Sequence, residues 1–131
     1  MRDSVFVAVP SDGPGGLDAT PSAHFGRCAC YTLARIHGET ISDVSILPNS
    51  GLEQGDDLRP LKELAGIGIK ALLAGGMGMR PFMGMEALGI TPYYNAGHAT
   101  VRATLEAFAE GRLPRFAEDN TRRGGHCADR H

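Results

Sequence analysis

The run Ile69–Ala74 (IKALLA) restricts the fold of this chain more than any other feature. Apart from Lys70 its residues are apolar without alternation. As a strand it is therefore buried on both faces, the condition of a strand in a parallel pairing. Ser4–Val9 (SVFVAV) reads as a second buried strand, rich in β-branched residues and stopped at Pro10. Cys28–Ile36 and Thr40–Leu47 are two further strands, joined through His37-Gly38-Glu39 as a hairpin. Ile90–Tyr94 (ITPYY) is the fifth, and the proline inside it points to a sheet edge.

Helical spacing appears in three places. Leu58, Leu61, Leu64 and Ala65 form one apolar stripe, with Asp56 or Asp57 as the cap and Gly66 or Gly68 as the stop. A second helix carries Pro81 in its first turn and runs to about Leu88, before Gly89. A third spans Ala99–Glu110, with Val101, Leu105 and Phe108 on its buried side and Gly111 after it. The order β-β-β-α-β-α-β-α predicts an α/β fold. Three antiparallel-looking strands precede two β-α-β units, all in one mixed five-stranded sheet with helices packed on it.

Two loops of turn-forming composition interrupt this pattern, residues 10–23 and 48–57. Beyond Pro114 the periodicity ends, which suggests one domain over residues 1–114 and a flexible tail over 115–131. A length of 131 residues suits a single domain with a usable core. The net charge of −2 leaves no broad electrostatic footprint for nucleic acid. No apolar run is long enough to span a membrane, and MRDSVFVAVP enters a strand without a secretory pattern, so a cytoplasmic location is expected. Three cysteines, an odd number, argue for free thiols or metal ligands over a disulfide framework.

Four segments carry residues suited to chemistry. AGGMGMRPFMGME places a glycine loop between a strand and a helix, an arrangement that aims free N–H groups at an anion. No Gly-Lys-Ser/Thr follows, so it is not a phosphate loop of the usual kind. Its methionines suit either core filling or Cu(I) ligation by thioether sulfur. His24 ends the first loop beside Phe25, Gly26 and Arg27, a setting that could fix an imidazole for ligation. Cys28 and Cys30, taken as strand residues, share a face; they are either a pair of small buried side chains or two metal ligands. His126 and Cys127, with His131, join imidazole and thiol in the tail. A plain Cu(I) or Zn²⁺ binder built from these cysteines, methionines and tail residues is the alternative function the residues suggest.

Taken in order, VAVPSDG, SAHFGRCACYTL, IKALLAGGMGMRP with LGITPYY, and ATVRATLEAFAEGRL resemble the dinitrogenase iron–molybdenum cofactor biosynthesis family, over about residues 4–113. Nitrogenase cofactor carriers and orange-protein-like proteins belong to that group. The resemblance implies a ribonuclease-H-like fold, a mixed five-stranded sheet flanked by helices. It implies a non-enzymatic carrier or assembly chaperone that holds a metal–sulfur cluster of molybdenum with iron or copper, a cluster not required for folding. It also implies nucleotide-binding ATPases or cofactor-assembly proteins as partners. The cluster face implied on this chain is His24, Phe25 and Gly26 with Gly75, Gly76, Met77, Gly78 and Arg80, joined by His98. Cys28, Cys30, His126 and Cys127 stand outside the shared pattern and remain candidate metal ligands on their chemistry alone. Nuclease chemistry, the other activity such a fold suggests, needs carboxylates on the inner strands, and SVFVAV and IKALLA contain none.

Overall fold

The computed structural model describes residues 4–22, 28–49, 58–75, 79–95 and 98–115. Its elements are β1 (Val5–Ser11), β2 (Cys30–His37), β3 (Thr40–Pro48), α1 (Leu58–Gly66), β4 (Ala71–Ala74), α2 (Met79–Leu88), β5 (Thr91–Tyr94) and α3 (Val101–Ala109). The strands form one mixed sheet in the order β3-β2-β1-β4-β5. β1 pairs antiparallel with β2, and β2 with β3, while β4 runs parallel to both β1 and β5.

The unalternating β4 is buried on both sides, as expected. Leu72 and Ala74 join Leu61 and Leu64 of α1 and Phe82 and Met85 of α2 in one apolar cluster. Ala71 and Leu73 join Val101, Leu105 and Ala107 of α3 in another. Full burial of each leucine contributes about 1.5–3 kcal/mol. The sheet is thus covered by α1 and α2 on one face and by α3 on the other.

Several boundaries differ from the expected ones. β1 does not stop at Pro10 but continues to Ser11. Pro10 gives its carbonyl to the Ser22 N–H at 2.8 Å, and Ser11 bridges Pro21. The imino nitrogen therefore faces the 21–22 segment, and no ladder bond to β2 is lost. β4 and β5 begin at Ala71 and Thr91, so Ile69 and Ile90 lie outside them. Both isoleucines close helix ends. The Ile69 N–H bonds the Leu64 carbonyl at 3.1 Å, and the Ile90 N–H bonds the Met85 carbonyl at 2.9 Å, each beside a left-handed glycine. The cap expected at Asp56 or Asp57 lies outside the described residues.

β5 is an edge strand, as Pro92 suggested. Its outer side is partly covered, because Tyr93 bridges Arg115 and the Tyr94 N–H donates to the Pro114 carbonyl. Phe108 of α3 is only half-buried and meets Tyr93 edge-on, with ring centroids 5.0 Å apart.

Candidate functional site at one end of the sheet

Strand direction decides where the candidate loops leave the sheet. β1, β4 and β5 are parallel, so their carboxyl ends lie at one edge. β2 runs the other way and begins there, with Cys30 opposite Ser11. β3 ends there, with Pro48 opposite Cys30. Counting on from the Ala8–Leu72 pair puts Gly75 level with Ser11, and the Asn95 N–H reaches the Ala74 carbonyl at 2.8 Å. Pro48, Cys30, Ser11, Gly75 and Asn95 therefore form a rim.

The flanks of each candidate segment sit on that rim. A strand has two edges. β2 occupies one edge of β1 through to Ser11, so Pro21 and Ser22 lie on the other, the β4 side. Ser22, the last described residue before 23–27, is therefore on the same side and at the same end as Gly75. His24, Phe25, Gly26, Gly76, Met77 and Gly78 themselves lie outside the described residues, as do His126 and Cys127. Arg80 belongs to the first turn of α2, and its side chain also lies outside them. His98 is half-buried; its N–H donates to Asn95 Oδ1 at 3.0 Å.

Two buried asparagines, which sequence reasoning missed, tie the rim together. Asn49 Nδ2 donates to the Cys28 carbonyl at 2.9 Å, and the Asn49 N–H donates to the Ala29 carbonyl at 3.2 Å. These bonds hold the chain at Cys28 and Ala29, just before β2. Asn95 does the same for the turn that carries His98. Each asparagine directly follows a strand, and that position was the available signal, since side-chain amides bond backbone groups in turns.

Cys28 and Cys30 are both buried, as one of their two readings expected, but they do not share a face. Cys28 precedes β2 and packs in the α1–α2 cluster with Tyr31 and Leu33. Cys30 is the first residue of β2, opposite Ser11, on the face that carries Thr32. Its sulfur lies 3.9 Å from the carbonyls of Ser11 and Asp12. The rule that residues i and i+2 share a face holds only inside a strand. Burial, then the nearby Asp12 carboxylate, pushes the Cys30 thiol above its usual value, which disfavours the thiolate a metal needs. Among the described residues no group of three or more His, Cys, Asp or Glu side chains is placed to hold a metal ion. The methionines also divide: Met85 is fully buried core, whereas Met83 is 59% exposed.

The loop after β1 is fastened down. Ser11 Oγ lies 2.8 Å from Thr32 Oγ1, which accepts the Gly16 N–H at 3.0 Å. Leu17 and Ala19 give their carbonyls to the N–H groups of Arg102 and Val101 at 2.8 and 2.9 Å. Thr100 caps α3 through Oγ1 to the Ala103 N–H at 3.1 Å, and its carbonyl takes the Thr104 N–H. The Val101, Arg102 and Ala103 N–H groups, which α3 cannot pair internally, are thus satisfied within the chain. These three donors, next to His98, are therefore not free for an anion. The rim offers instead the imidazole of His98, the amide of Asn95 and the approach to α2.

Residues 3–111 match the profile of the family described as dinitrogenase iron-molybdenum cofactor. Among solved structures, the apo form of the orange protein from Desulfovibrio gigas is similar, with a TM-score of 0.74 and 27% identity, over 89% of this chain and 97% of that one. A candidate NifB protein from Thermotoga, assigned to the DUF35 family, has a TM-score of 0.71 and 26% identity, over 87% of this chain and 97% of that one. A candidate dinitrogenase from Methanocaldococcus jannaschii shares the fold, with a TM-score of 0.70 and 18% identity, over 88% of this chain and 97% of that one. No curated protein sequence matches the chain.

Proposed function

Because the chain belongs to the dinitrogenase iron–molybdenum cofactor family, we propose that it is a non-catalytic carrier whose cargo is a metal–sulfur cluster of molybdenum with iron or copper. The observation that carries this reading is the meeting of five strand ends on one rim, where Ser22 and Gly75 flank the His24 and Gly76–Gly78 segments in the sequence. The fold supports the same reading, since its sheet order and helix placement suit a ribonuclease-H-like scaffold.

The chemistry of release supports a carrier as well. A thiometallate cluster is large, soft and anionic. Backbone N–H groups of the glycine loop, the Arg80 guanidinium and one imidazole offset its charge with few strong bonds. A closed cage of thiolates would retain the metal, whereas a donor must let go. In this reading His24, Phe25, Gly26, Gly75, Gly76, Met77, Gly78, Arg80 and His98 form the cradle. The cluster passes on to a cofactor-assembly protein or a nucleotide-binding ATPase in the cytoplasm. The thiol-based alternative draws less support, since Cys28 is core and burial, then Asp12, pushes the Cys30 thiol up.

Reconstitution with tetrathiomolybdate and Cu(I), or with iron–molybdenum cofactor, tests the reading. The expected outcome is stoichiometric uptake with a new visible absorption band, weakened about tenfold or more in His24→Ala. Metal analysis showing no uptake by the parent chain, or full uptake by His24→Ala, would overturn the carrier or its proposed ligand respectively.

A further inference from the structure

The two edges of the sheet are finished differently. At the β5 edge the chain covers itself, through the Tyr93–Arg115 bridge and the bond from the Tyr94 N–H to the Pro114 carbonyl. Among the described residues no strand or bridge lies beyond β3. Half of that open edge is blunted. The ladder to β2 shifts register between Leu33 and Arg35. Asp43 stands there with a left-handed φ of 53°, and its carboxylate meets the Arg35 guanidinium at 3.4 Å. A bulge that carries a charge discourages strand addition. The other half is different. Residues 44–48 (VSILP) carry no charge, and from Ser45 to Pro48 the ladder to β2 is unbroken. Val44 is 40% exposed and Ile46 45%.

The backbone of this run sets what can cover it. The Asn49 N–H bonds the Ala29 carbonyl. Inward and outward bonding alternate along an antiparallel ladder, so Leu47 bonds toward β2 and Ile46 turns its N–H and carbonyl to the open edge. Pro48, the next outward residue, has no N–H and ends the row of donors. Ile46 is therefore the centre of a short window, closed by the bulge at one end and by Pro48 at the other. A window of this kind is complementary to itself. Around a two-fold axis at Ile46, two antiparallel copies exchange both backbone bonds between their Ile46 residues. Neither strand brings a charge to the axis, so no like-charge repulsion opposes the pairing. On the α1 side, a groove of about 440 Å³ lined by Leu47, Pro48, Glu63, Gly66 and the exposed Ile67 adds mostly apolar surface next to the window. We propose that the chain forms a two-fold dimer through residues 44–48 of β3, so that the sheet continues from one copy into the next. A contact this short belongs to the small interfaces, under about 1,200 Å² in total, and a Kd of about 10–100 μM is expected. Because the paired β3 strands run in opposite directions, the rims of the two copies lie at opposite ends of the joint sheet.

Analytical ultracentrifugation of the full chain from about 5 to 500 μM tests the dimer. The parent should pass from monomer to dimer over that range. Ile46→Lys sets two like charges across the axis; it should melt like the parent and associate at least about tenfold more weakly. Val44→Lys, within the same window, should do the same. Leu88→Lys replaces an exposed apolar residue on α2 and should dimerise like the parent. In hydrogen exchange, the Ile46 amide should be slowed in concentrated parent relative to dilute parent. A parent that stays monomeric, or a dimer that survives both Ile46→Lys and Val44→Lys, overturns the proposal. So does a Leu88→Lys chain that no longer dimerises, or an Ile46 amide whose exchange ignores concentration. If Ile46→Lys fails to fold, Val44→Lys and the Ile46 amide of the parent decide.

Discussion

Gly15 occupies a place that no side chain suits. Its φ is +85°, and a Cβ built there would lie 2.9 Å from Cys30 Sγ and 3.2 and 3.3 Å from two carbons of Ile46. Gly16 has a similar left-handed φ of +99° but open space around it. Both substitutions to alanine should destabilise through backbone strain, by about 1–3 kcal/mol. Gly15→Ala should lose more than Gly16→Ala, because Cys30 and Ile46 must also move. Urea unfolding of the two variants checks the order. The sequence showed a glycine-rich loop here but not this contact, which joins residues far apart in the chain. The cysteine pair escaped because β2 begins only at Cys30, so the alternation on which a shared face depends does not reach back to Cys28.

Elements were legible where their signals are local. The stripes at Leu61 and Leu64 and at Val101 and Leu105 repeat at helical spacing, and both pairs are buried. Strand starts slipped where an isoleucine serves the preceding helix end. The engagement of the first N–H groups of α3 was not legible, since the carbonyls that take them come from Leu17 and Ala19. Thr100→Ala tests the next of them, the Ala103 N–H, directly. Loss of the cap should lower stability by about 0.5–2 kcal/mol in thermal or urea melts. Cluster uptake should stay at the parent level, because those N–H groups serve the fold.

At the scale of the whole molecule, the mixed sheet followed from the order of strands and helices. The common rim follows in turn from which pairs are parallel and which antiparallel. The identity of rim residues was readable only in part: glycine and histidine motifs announce themselves, whereas Asn49 and Asn95 gain meaning only from the strand ends they follow. Described chain reaches Arg115, which pairs with β5. A chain ended after Ala117 keeps that pairing and should retain both its melting temperature and its cluster uptake. Metal analysis showing that the shortened chain binds nothing would move the site to His126 and Cys127.

The opposite end of the sheet carries a consequence of its own. Val5 pairs with Ile36 and His37 with Thr40, so the exposed Gly38-Glu39 turn lies as far from Ser11 and Cys30 as the strands allow. That turn makes a natural attachment point. A fluorescent reporter or surface tether spliced there would leave the loading end facing open solution, so cargo transfer between an immobilised chain and its recipient could be followed in real time.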